Sequence, residues 1–158
     1  MSSLLLDSNI LITGERDYYP HDIFPSVWEA VSASIVEKRA IVLDVVYNEI
    51  VKGQGWLAEW MKRHKTYVVG TDQQDIVDAY QQVLAFVFNP GNKFTKAAKD
   101  AWFANIDVAD PWLIASAIVT GNTIVSFEVF ASPGCRKRIK IPNVADHLPF
   151  HALELSIT

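Results

Sequence analysis

The sequence predicts a three-layer α/β/α domain on a central, mainly parallel sheet, and three features of it lead there. Short apolar runs without helical period alternate with segments whose apolar residues recur at helical spacing. Those runs are continuously apolar instead of alternating with polar residues, as strands covered on both faces must be. Half of the 158 residues are apolar, with five Trp and eight Phe, and only 20% are charged. That is enough to fill one sizeable core, so a single domain over residues 1–158 is expected.

The elements follow in order. Leu4 to Leu6 run into Asp7-Ser8-Asn9, an apolar run cut off by turn-forming polar residues, which predicts a buried first strand. A stretch holding Tyr18, Tyr19, Pro20, Phe24 and Pro25 comes next. Ser26 then opens a helix to Lys38, with Val27, Ala30, Val31 and Ile35 on one stripe. AIVLD at 40–44 repeats the strand pattern, and VVYNEIVKG predicts a short helix closed by Gly53.

Residues 56–63 and 72–88 read as helices, with the β-branched stretch 66–69 between them and Asn89-Pro90-Gly91-Asn92 as a breaker. A further helix is expected over 95–103. Asp110-Pro111 then suits the N-cap and first turn of a helix that carries Leu113, Ile114, Ala117 and Ile118 and stops at Gly121-Asn122. TIVS at 123–126 reads as a buried strand, and IKIP and HALELSI read as strand-like. No repeat, low-complexity tract or linker interrupts the pattern.

Charge narrows the function. Fourteen basic against eighteen acidic residues give a net charge of -4, which argues against gripping nucleic acid through bulk positive charge. Cys135 is the single cysteine and has no internal partner, and three leucines before Asp7 are too few for a signal or a membrane span. A soluble cytoplasmic protein is expected, with no membrane contact.

In parallel sheets the ligand site lies at the carboxyl ends of the strands. Three predicted strands end at or beside an acid there: Asp7, Asp44 and Glu128, with Glu49 and Asp110 on adjoining helices. Each has a structural explanation as well. Asp7 suits an Asx turn, and Asp44 and Asp110 suit helix N-caps. Glu49 edges the Val45, Val46 and Ile50 side of its helix and so calls for a partner. Taken together, the carboxylates repel one another unless a cation sits among them, and Mg²⁺ or Mn²⁺ is the hard ion that oxygen donors favour. His21, His64, His147 and His151 lack zinc-ligand spacing and read as surface or loop residues.

LLLDSNILI, VVYNEIVKG, ADPWLIASA and TIVSFE, in that order and spacing, resemble the four acidic motifs of the PIN domain, a family of metal-dependent ribonucleases that includes the VapC-type toxins. YYPHDIFPSVW and KIPNV resemble a PIN-like subgroup of largely unknown function. The resemblance covers nearly the whole chain. It implies that Asp7, Glu49, Asp110 and Glu128 are catalytic metal ligands for Mg²⁺ or Mn²⁺, with Ser8, Asn9 and Ser126 in support. Glu128 stands where the family usually has Asp and Ser126 where it usually has Thr, so Glu128 is expected to reach the ion less directly, through water.

The function implied is an endoribonuclease that hydrolyses RNA phosphodiester bonds as the toxin of a type II toxin-antitoxin pair. Its partners would be RNA and an antitoxin protein, with a homodimer left open. The alternative is a catalytically weak PIN-like module that binds RNA or protein. A haloacid-dehalogenase-type phosphatase fits poorly, since Asn9 stands where that chemistry needs a second Asp. The basic segments Lys62-Arg63-His64-Lys65 and Arg136-Lys137-Arg138, with Lys140 nearby, are either RNA guides or solvated faces.

Overall fold

The structure is a computed structural model and describes residues 2–155. Four strands form its sheet: β1 (Leu4–Leu6), β2 (Ala40–Ile41), β3 (Thr123–Ser126) and β4 (His151–Glu154). They lie in the order β2-β1-β3-β4 and every pairing is parallel. Leu5 pairs with Ile41 on one side and Ile124 on the other, and Val125 pairs with Leu153. A single parallel bridge, Leu43 to Val69, continues the β2 edge.

Eight α-helices among the described residues cover this sheet: α1 (Ser8–Thr13), α2 (Pro25–Val36), α3 (Asp44–Val51), α4 (Trp56–Lys62), α5 (Gln74–Phe88), α6 (Lys96–Phe103), α7 (Ala109–Thr120) and α8 (Ile141–Ala145). Alternation along the strands sends Leu4, Leu6 and Val125 toward Val27 and Val31 of α2. Leu5 and Ile124, fully buried, face the other way, toward the layer in which α7 packs on α5 and α3. The result is the expected three-layer α/β/α arrangement. No helix is long and apolar enough to cross a membrane among the described residues.

Helix ends follow local chemistry in most places. Pro25 opens α2, where its missing N–H costs nothing. Gly121 closes α7 at φ 75°, a left-handed turn that favours glycine.

Several expectations are corrected. Ser8 and Asn9 do not form a turn: they begin α1, with Asp7 at its N-cap, and a π-helical turn over Gly14–Tyr18 follows. The β-branched stretch 66–69 contributes only the Val69 bridge, since Lys65–Tyr67 wind into a 3₁₀ turn. The IKIP segment is not a strand either. Ile141 and Pro142 open α8, with Pro142 in the first turn, and Ile141 and Val144 are buried. Of HALELSI, His151–Glu154 form β4, while Ser156 and Ile157 lie outside the described residues.

His64 is no surface residue. Only 7% exposed, it rests against Trp60, with Nδ1 bonded to the Trp60 carbonyl and Nε2 to the Ser32 hydroxyl, both at 2.7 Å. It clamps α4 to α2.

Candidate active site at the carboxyl edge of the sheet

The chain leaves β1 toward β2 on one side and leaves β3 toward β4 on the other. The carboxyl ends of β1 and β3 are therefore the point where connections diverge, and a crevice opens between them. Asp7 follows β1 directly, and Ser126 ends β3. Because α7 precedes β3, a parallel strand, its first turn lies at the same edge and carries Asp110 there.

Ser126 joins the two strand ends. Its hydroxyl donates to Asp7 Oδ2 at 2.7 Å and accepts from the Glu128 backbone N–H at 2.9 Å and from Asn9 Nδ2 at 3.2 Å. One donation and two acceptances use the whole capacity of a hydroxyl. Asn9 Oδ1 in turn accepts from the Phe127 backbone N–H at 3.0 Å. Ser126 and Asn9 thus fix the orientation of Asp7 across the β1/β3 join. Ser8, also buried, lines the cleft in front.

The structural explanations for the two central acids, an Asx turn for Asp7 and an N-cap for Asp110, fail. Asp7 occupies the N-cap of α1, and its side chain makes no cap hydrogen bond. Asp110 is not an N-cap at all: Val108 holds that position, Asp110 is the second residue of α7, and no side chain caps this helix. Asp7 is only 3% exposed. Burial raises its carboxyl from 3.8 to about 6, helped by the charges of Glu128 and Glu49 and opposed by the Ser126 hydroxyl and the Ser8 backbone. Asp110 is pushed well above the usual carboxylate range, first by burial, then by the charges of Asp7, Glu128 and Glu49, with Lys140 pulling the other way.

Glu49 stands apart from that pair. It is exposed on α3 and makes none of the ion pairs or side-chain hydrogen bonds found among the described residues, so the partner its helical position called for is absent. It lines a cleft of about 330 Å³ together with Ser8, Lys52, Asp107 and Asp110. Glu128 is held differently. Its Oε2 accepts from the Ile141 backbone N–H at 2.9 Å, and its Oε1 lies 3.9 Å from Lys140 Nζ. The extra methylene relative to Asp carries this carboxylate toward α8.

The four expected acids therefore share one electrostatic field without forming a closed cage. Among the described residues no three His, Cys, Asp or Glu side chains converge closely enough to hold one ion between them. The donor set still fits Mg²⁺ or Mn²⁺, since Mg²⁺ keeps several waters and is usually bound through one or two carboxylates plus substrate phosphate. Asp7 and Asp110 would supply those carboxylates, with Glu49 and Glu128 reaching the ion through water.

Asp44, the third acid at a strand end, does not belong to the site. Its Oδ1 accepts from the Val45 N–H at 2.7 Å and the Thr71 hydroxyl at 2.9 Å, and its Oδ2 from the Thr71 N–H at 3.1 Å. Sequence reasoning placed neither Asp107 on the cleft wall nor Lys140 beside Glu128. Asp107 pairs loosely with Lys52 at 3.8 Å. An acid three residues before Asp110 was the available signal for it.

Comparison of the chain with known families finds one description: the sequence model of a family given as Domain of unknown function (DUF4411) matches residues 4–156. No curated protein matches the chain.

Proposed function

The chain belongs to the DUF4411 family, and from that premise we propose that it is a PIN-like endoribonuclease dependent on Mg²⁺ or Mn²⁺, the toxin of a type II toxin-antitoxin pair. One observation carries the nuclease reading. Asp7 and Asp110, two carboxylates at the sheet's divergence point, neither cap a helix nor pair with a cation of their own, and each is pushed up by burial and by like charge. Such an arrangement costs stability unless a cation completes it.

When bound, the divalent ion would polarise the phosphate and make a water more acidic. The chain's own groups do the rest. Ser126 and Asn9 hold Asp7 in one orientation, and α7 presents Asp110 from its first turn, where the helix dipole favours negative charge. Glu49 keeps a free carboxylate on the cleft wall. Hydrolysis adds water across one P–O bond, the hydroxyl going to phosphorus and the proton to the departing ribose oxygen. An antitoxin segment covering this cleft would place Arg or Lys among the carboxylates, replacing the ion's charge.

Incubation of purified protein with RNA in Mg²⁺ or Mn²⁺ should give cleavage that stops in EDTA. Cleavage that persists unchanged in EDTA would overturn the metal dependence. The second reading, a binding module, is favoured by Glu128, whose carboxylate is already engaged by Ile141 and Lys140. RNA retention without cleavage under any metal condition would decide for it.

A further inference from the structure

We infer that a second groove beside Asp110 carries the sugar-phosphate backbone of single-stranded RNA, with Lys137 and Arg138 binding its phosphates. The choice of RNA rests on the nuclease reading above; the groove itself does not. Asp110 lies where two clefts of opposite character meet. On one side is the acid-lined cleft of Glu49 and Asp107. On the other, a groove of about 300 Å³ is bordered by Asp110, Glu128, Lys137, Arg138 and Lys140, with Ala97 and Ala101 of α6 on its wall.

The basic side of this groove is held in place from both ends. The Thr95 N–H donates to the Arg136 carbonyl at 3.0 Å, at the start of α6. Ile139 is buried, and the Ile141 N–H is bonded to Glu128. Lys137 and Arg138 ride on this fixed segment, both exposed, and make none of the ion pairs or side-chain hydrogen bonds among the described residues. The cations nearest the site are committed, Lys140 of the same groove to Glu128 and Lys52 of the neighbouring cleft to Asp107.

Two uncommitted cations beside the half-buried carboxylates of Asp110 and Glu128 suit a polyanion that must approach a cation-filled acidic centre. The acids alone would repel its phosphates, and the basic wall offsets that repulsion one step along the strand. The α6 wall offers methyl groups, and the Trp102 ring is buried, so the groove gives bases no aromatic platform to stack on. Recognition here is through phosphate and tolerant of sequence.

The test is binding of a short fluorescein-labelled single-stranded RNA by anisotropy across a salt series, with and without Mg²⁺, its integrity checked on a denaturing gel. The double variant Lys137→Gln, Arg138→Gln should weaken binding and make the slope of log affinity against log salt shallower by about 1.4, about 0.7 for each phosphate no longer neutralised. Its melting temperature should match the parent's, as both side chains are exposed. A second variant, Lys62→Gln with Arg63→Gln and Lys65→Gln, removes the other basic segment and should leave the slope unchanged.

If the first variant keeps the parent's affinity and slope, if the second takes the effect instead, or if the parent does not bind RNA at all, the groove assignment is overturned. The nuclease reading fails separately. A parent that binds through Lys137 and Arg138 yet leaves RNA intact in Mg²⁺ and Mn²⁺ keeps the groove and loses the nuclease; one that cleaves with an unchanged double variant does the reverse.

Discussion

Asp7 follows β1 directly and Asp44 follows the Leu43 bridge that continues the β2 edge, and their environments are opposite. Asp44 accepts from the backbone and hydroxyl of Thr71 and from the Val45 N–H, so both of its oxygens are satisfied within the protein. Asp7 has Ser126 as its one side-chain donor, and the charges of Glu128 and Glu49 add to the cost of its burial. A carboxylate with its own donors fastens the fold. One that is buried near like charges carries a cost that, on the proposed reading, a bound cation would offset.

The largest expected difference is in catalysis. Asp7→Asn and Asp110→Asn should each lower RNA cleavage by orders of magnitude, because on the proposed reading each removes one of the two carboxylates that would hold the ion. Asp44→Asn should leave the rate per folded molecule within a few-fold of the parent. Cleavage assays on the three purified variants decide this, and equal losses from Asp44→Asn and Asp7→Asn would erase the contrast.

Stability should order the same residues the other way. Asp44→Ala leaves the Thr71 and Val45 donors without a partner and should cost about 3 kcal/mol in urea unfolding. In EDTA, Asp7→Asn should fall between no change and a gain of about 3 kcal/mol, since a carboxyl raised from 3.8 to about 6 carries a penalty of that order. The sign in pH follows from the same shift. Between 3.8 and about 6 the folded chain keeps a proton that the unfolded chain has released, so metal-free stability should fall as pH rises through that window. Mg²⁺ needs the deprotonated pair, so its effect on the melting temperature should grow over the same range. Metal-free stability that rises across the window would contradict the like-charge account of Asp7.

The smallest effect concerns Glu128, which combines features of both regions. Gln at 128 can still accept from the Ile141 N–H, whereas Asp is too short to reach it. Glu128→Asp should therefore cost about 1 kcal/mol of stability while keeping the charge, and Glu128→Gln should keep the fold while lowering cleavage modestly. If both variants melt and cleave like the parent, Glu128 is a bystander and the centre rests on Asp7, Glu49 and Asp110.

The sequence by itself determined the layered parallel fold, the first strand, the helices over residues 26–38 and 56–63 to within two residues, and the gathering of acids at the carboxyl edge of the sheet. Periodicity and strand-end chemistry are local, so they survive in a linear reading. Where local rules competed, they misled: Ser8 and Asn9 are good turn formers and equally good helix starters, and Pro142 fits an extended segment as readily as a first helical turn. The sorting of the acids was decided only by tertiary structure. Thr71 lies 27 residues from Asp44 and satisfies it, Ile141 lies 13 residues from Glu128 and turns it aside, and Ser126 reaches Asp7 across 119 residues. Whether a carboxylate is satisfied or left wanting a cation depends on which distant donors the packed layers bring to it, and one-dimensional spacing does not carry that information.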